Sequence, residues 1–114
     1  MNYHAHVYWK NQAEREIAIS LREGLNNLGC PLGRVFDIPI GPHPLAMYQV
    51  IYNSSNAELV ENLLTTKSGG ISILLHEDTG DDIHDHTDGV RWIGDSLPLD
   101  IEWLEEYVKS KEQE

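Results

Sequence analysis

The sequence has only one cysteine, Cys30, so no intrachain disulfide can form and a reducing compartment is expected. Long apolar runs are missing as well. No stretch approaches the roughly 18–20 apolar residues that a membrane-spanning helix requires. The amino terminus lacks the basic-then-apolar run of a secretory signal, so a soluble, cytoplasmic protein is the expectation. Cations are scarce, 8 Lys and Arg against 19 Asp and Glu, and the net charge of -11 repels phosphate backbones and anionic lipid headgroups. Neither nucleic acid nor a membrane is therefore an expected partner. Repeats and low-complexity segments are also absent.

What is present is ordinary globular material. At 114 residues, with 40% hydrophobic and 24% charged, the chain suffices for one domain over residues 1–114 with its own core, and not for two. Tyr3 to Trp9 is rich in aromatic and β-branched residues and alternates with period two, which predicts a strand. From Asn11 the period changes. Ile17, Leu21, Leu25 and Leu28 recur at helical spacing, with Asn11 placed to cap and Glu14 three residues on, and the helix should end at Gly29. Residues 34–40 and 47–52, separated by Gly41-Pro42-His43-Pro44, read as a hairpin. A second helix is predicted over 55–66 behind a Ser55-x-x-Glu58 capping box, then a short buried strand over 71–76 and a third helix over 100–109. Residues 77–99 are acidic and lack either period; an ordered loop of that length is usually functional.

This order, β-α-β-β-α-β, is the split-βαβ, ferredoxin-like pattern. It predicts an α+β fold, a four-stranded antiparallel sheet with two helices on one face plus a carboxy-terminal helix. The first and third strands should be central and the other sheet face bare. An uncovered face or strand edge invites pairing, so a two-fold homodimer is expected.

The histidines stand out against this frame. On the first strand Ala5 and Val7 suit the helix-covered side, which turns His4 and His6 to the other side. On the last predicted strand Ile71, Ile73 and Leu75 face the helices and His76 does not. With these strands adjacent, His6 and His76 come within ligand distance and His4 lies one pleat away. Imidazole suits Fe, Zn, Cu or Ni, and two histidines with a carboxylate hold the iron of non-haem oxygenases, which makes Glu77 and Asp85 candidate carboxylates. His43 or His4 is the candidate third ligand. His86, steadied by Asp85 or another loop carboxylate, is placed as a proton-transfer or orienting group.

Plainer readings compete. A histidine on an open sheet face is also an ordinary polar residue at a dimer contact, and His43 between two prolines is also a turn residue. The acidic run lacks the spacing of a calcium loop. Trp92 and Trp103 read as core anchors, and Cys30 as an inert thiol.

Several motifs, taken in order, point further. His4-Ala5-His6-Val7-Tyr8, Gly41-Pro42-His43-Pro44, Leu74-Leu75-His76, Thr79-Gly80-Asp81-Asp82, Asp85-His86-Thr87, Trp92-Ile93-Gly94 and Leu97-Pro98-Leu99-Asp100 together resemble the DOPA 4,5-dioxygenase family over nearly the whole chain. Glu77, where the family pattern has proline, and His84 depart from it. The resemblance implies a small ferredoxin-like, often dimeric protein and Fe(II)-dependent extradiol cleavage of a catechol such as DOPA by O2. Zn or another divalent metal is an alternative occupant. It places the family's histidines on His4, His6, His43, His76 and His86, with His6, His76 and His4 assigned to metal and His4, His43 and His86 to catalysis. Two other readings stay open: a non-catalytic dimeric module binding a small ligand or metal, and a monooxygenase acting without bound metal.

Overall fold

The protein is described here by a computed structural model covering residues 1–112. Four strands, β1 (Asn2–Trp9), β2 (Ala46–Asn53), β3 (Ile73–Glu77) and β4 (Val90–Ile93), alternate with four helices, α1 (Gln12–Asn27), α2 (Ala57–Lys67), α3 (Asp82–Asp85) and α4 (Ile101–Glu112). The strands form one sheet in the order β2-β1-β3-β4, with every neighbouring pair antiparallel. The fold is α+β, as expected. No helix among the described residues is long and apolar enough to cross a membrane.

Period-two alternation sorts the side chains of β1. Ala5, Val7 and Trp9 join Tyr48, Val50, Tyr52, Ile73 and Leu75 under the helices, where Leu21 and Leu25 of α1 and Val60 and Leu64 of α2 complete the main core. α1 begins where predicted: the Asn11 side chain accepts from the Glu14 amide at 2.9 Å, and the Glu14 carboxylate accepts from the Lys10 amide at 3.1 Å.

Four expectations about strands, caps and sheet faces are corrected. Residues 34–40 do not form a strand; this segment pairs with β2 at the isolated bridge Phe36↔Met47, and the residues just before it at Leu32↔Val50. Pro39, Pro42 and Pro44 carry no amide hydrogen to donate, and Asp37 is drawn instead to Arg15 of α1 at 2.7 Å. The fourth strand is β4, from within the segment read as loop, so the predicted third strand, 47–52, expected to be central, is an edge as β2, and the predicted last strand, 71–76, is central as β3. The Ser55–Glu58 capping box does not form. Asn53 takes both the Ser55 amide and hydroxyl, and Asn56 becomes the residue before the helix, its side chain spent on the Leu28 carbonyl and the Asn53 amide.

The fourth correction matters most for the site: the sheet face opposite the main core is covered. Tyr8, Met47 and Leu74 form a second small core there, roofed by Phe36, Leu45, Val90, Trp92, Leu97 and Leu99. Trp92 is thus an anchor, as expected. Trp103 is not; it is 41% exposed and stacks on Tyr107 at 5.2 Å. Cys30 is buried and its thiol is pushed up by desolvation, in keeping with an inert group.

The turn after β4 is sterically fixed at Gly94. Its φ is +74°, and a Cβ there would lie 2.6 Å from the Ile71 carbonyl oxygen, which belongs to backbone and cannot swing aside. Gly70 has φ of +91° with nothing within 4 Å of such an atom. Gly70→Ala should therefore cost only the left-handed penalty, roughly 1–2 kcal/mol. Gly94→Ala should cost more, about 3 kcal/mol, because overpacking is added. Urea denaturation of both variants checks this; equal losses would show that the Ile71 contact relaxes freely.

Candidate metal centre and its cavity

The site begins with a strand register. β1 pairs with β3 so that His4 lies opposite His76 and His6 opposite Leu74, and partners in an antiparallel ladder share a face. His4, His6 and Tyr8 of β1 therefore emerge beside His76, on the face away from the helices. Two further segments deliver histidines to the same place. The Gly41-Pro42-His43-Pro44 turn brings the His43 ring to 4.5 Å from that of His6, and α3 sets the His86 ring 4.7 Å from that of His76. Five of the six histidines converge. His84 is exposed and lies outside the cluster.

His4, His6 and His76 each offer a ring nitrogen within 4.8 Å of the others, the one group of this kind among the described residues. It contains no carboxylate. Both oxygens of Asp85 are taken by Thr79, by its amide at 2.9 Å and its hydroxyl at 2.6 Å, and Glu77 contributes its main-chain carbonyl instead. His43 is not in the three-nitrogen group.

Hydrogen bonds fix which nitrogen each ring presents. The Nδ1–H of His76 donates to the Glu77 carbonyl at 2.9 Å, so in the neutral ring Nε2 keeps its lone pair. His86 is set the same way, its Nδ1–H donating to the Asp82 carbonyl at 2.7 Å. Its steadying partner is thus main chain and not the expected Asp85 carboxylate; Asp85, 2% exposed, pins the loop that carries His86. His43 Nδ1 lies 2.8 Å from the hydroxyl of Tyr8, a wholly buried residue. The alternation of β1 already places Tyr8, two residues beyond His6, on the histidine face, but assigns it no partner.

Burial controls the charge of the cluster. Desolvation, then the neighbouring imidazoles, holds His6 well below the ordinary histidine value and His43 at about 4. His76 is also lowered, again by burial, although its bond to Glu77 opposes this. For His4 burial outweighs the pull of Asp78, whose carboxylate lies 3.6 Å away. Neutral imidazole is the form that binds a metal.

The residues fit a divalent ion. His6 Nε2 and His76 Nε2 are 3.1 Å apart. Two imidazoles each bound at ~2.1 Å to one ion stand roughly 3.0–3.4 Å apart. His6 Nδ1 is buried without a partner, so the ring is not held by hydrogen bonds on both sides as a purely structural histidine would be. A cavity of about 390 Å³ reaches His6 and His43, walled also by Arg34, Phe36, Met47 and Gln49.

The sequence profile of the Dopa 4,5-dioxygenase family matches residues 3–103. A DOPA 4,5-dioxygenase of Amanita muscaria is 34% identical over 108 residues, 87% of this chain and 47% of that protein. An uncharacterized 21.2 kDa protein of Botryotinia fuckeliana is 29% identical over 118 residues, 95% of this chain and 64% of that one. The chain thus spans about half to under two-thirds of these curated relatives. A crystal structure titled a "putative dioxygenase" from Nostoc punctiforme superposes with a TM-score of 0.88 at 42% identity, covering 93% of this chain and 92% of that one.

The lowered histidines link stability to pH. The folded state refuses protons that the unfolded chain accepts near the ordinary value of 6.5, so stability is complete above that value and is lost as pH falls toward about 4, where His43 also protonates when folded. With chelator present, the urea midpoint of the native chain should decline across this window, and His43→Gln should make the decline shallower. An unchanged slope in the variant would show that His43 is not held neutral.

Proposed function

Because the chain belongs to the Dopa 4,5-dioxygenase family, we propose that its histidine cluster is the centre of an extradiol dioxygenase that opens the ring of a catechol such as DOPA. The observation that carries this reading is the convergence of five imidazoles, three of them within ligand distance, of which His6 and His43 line one cavity. His6, His76 and His4 would hold the metal, taken to be iron in the divalent state. When bound, it supplies the position where the two catechol oxygens and dioxygen meet.

The remaining side chains act on protons and on water. A catechol hydroxyl must lose a proton as it binds, and the Nε2 of His86, left unprotonated by the Asp82 bond, is the acceptor for it. His43, tied to Tyr8, keeps its other nitrogen to orient the substrate oxygens or return a proton as the ring opens. Extradiol opening breaks the ring bond beside the diol and places both atoms of O2 in the product, so no external reductant is needed. The second core of Tyr8, Met47 and Leu74 keeps water from the sheet side of the cluster.

Metal content and oxygen uptake, measured on the same folded variants, test this. His6→Ala and His76→Ala should lose both iron and catechol-dependent oxygen uptake, because each removes one of few ligands. His86→Ala should retain iron while turnover falls by about 10²–10⁴-fold, the range of general acid–base catalysis. Full iron occupancy in both ligand variants would overturn the ligand assignment. Iron-loaded native protein that takes up no oxygen with DOPA or other catechols would favour the non-catalytic metal site. Uptake that survives exhaustive chelation would favour a metal-free monooxygenase.

A further inference from the structure

Arg34 is conspicuous by its charge and its place. The chain has four arginines, at positions 15, 22, 34 and 91. Arg15 is paired with Asp37 at 2.7 Å, Arg91 with Glu61 at 2.8 Å, and Arg22 donates to the Gly33 carbonyl at 3.0 Å. Arg34 has no acidic or hydrogen-bonding partner among the described residues. In a chain where acidic residues outnumber basic ones by 19 to 8, an unspent guanidinium on a cavity wall calls for an explanation.

The local backbone explains how it is held. Residues 34 and 36 lie on one side of an extended segment, and the guanidinium carbon sits 4.6 Å from the centre of the Phe36 ring. This stacking restricts the side chain while leaving all five N–H donors unspent, and the planar fork they form matches the two oxygens of a carboxylate. The same cavity presents Phe36, Ile40, Pro42 and Met47 as apolar wall and His6 and His43 at the metal end. Its volume of about 390 Å³ is enough for an aromatic ring with a short side chain.

We propose that Arg34 is the anion anchor of this cavity and selects catechols that carry a carboxylate on a short side chain, the carboxylate on Arg34 and the ring toward His6 and His43. This rests on the catechol reading of the site, and it adds a residue and a charge requirement to it. An anionic ligand is repelled by a chain of net charge -11, so binding it needs a local cation; Arg34 is that cation. An uncharged catechol gains nothing from it.

Anaerobic calorimetric titration with two probes tests the proposal: 3,4-dihydroxyphenylacetate and its uncharged counterpart 4-methylcatechol. Native protein should prefer the acid, and added salt should erode that preference alone. Arg34→Gln should weaken binding of the acid by about 10–100-fold, the size of a charge-assisted bidentate contact, and alter 4-methylcatechol by no more than about threefold. Arg34→Lys, which keeps the charge and loses the fork, should fall between. Arg34 is exposed, so these variants should fold, and far-ultraviolet circular dichroism verifies it. No preference for the acid in native protein, or equal losses for both probes in Arg34→Gln, would overturn the proposal. Oxygen uptake with the same two compounds separates it from the reaction itself. Selective binding of the acid without uptake would sustain Arg34 and sink ring cleavage; equal turnover of both by native and Arg34→Gln protein would do the reverse.

Discussion

The antiparallel register that sets His4 opposite His76 is the constraint on which the rest of this structure depends. A strand shows alternate residues to opposite faces, so one eight-residue segment, β1, must supply core to the helices and imidazoles to the candidate site at once. Ala5 and Val7 are wholly buried under the helices, while His6 is nearly as buried on the other side. A slip of one residue would exchange the two sets, placing imidazoles in the apolar core and alanine and valine where the imidazoles cluster. The hydrophobic pattern of β1 therefore protects the chemistry as much as the fold.

Burying several imidazoles together is unfavourable unless they find partners, and for His76 and His86 the structure supplies main chain. The carbonyls of Glu77 and Asp82 each take one Nδ1–H, a solution that uses no charged group and leaves Nε2 directed elsewhere. Asp85 does its part at one remove. Its buried carboxylate is satisfied by Thr79 alone, which closes the loop between β3 and α3 and fixes where His86 stands. The acidic segment is thus less a charged surface than a clasp around the site.

The periods of the sequence made much of this readable. β1, α1 and the last core strand follow from alternation and helical spacing, and with them the grouping of His4, His6 and His76. Other parts depend on contacts distant in sequence. Whether residues 34–40 pair fully with β2 is decided by which amides are free and by Arg15 competing for Asp37, neither of which is a period. β4 has four residues, too few for alternation to stand out in an acidic stretch, and it exists because β3 has an edge to fill. Tyr8 was visible as to its face but not as to its partner, since His43 is 35 residues away. Arg34 has no local signal at all; only the cavity sets it apart.

The wall and the centre of the cavity are held by different means. The centre is fastened by continuous ladders between β1, β2 and β3, whereas the segment bearing Arg34 and Phe36 meets the sheet at only two isolated bridges. Changes in that segment leave the ladder hydrogen bonds, and hence the grouping of His4, His6 and His76, in place. The protein is thus modular within a single small domain: one short wall of the cavity can change by point substitution while the strand register that groups His4, His6 and His76 stays as it is.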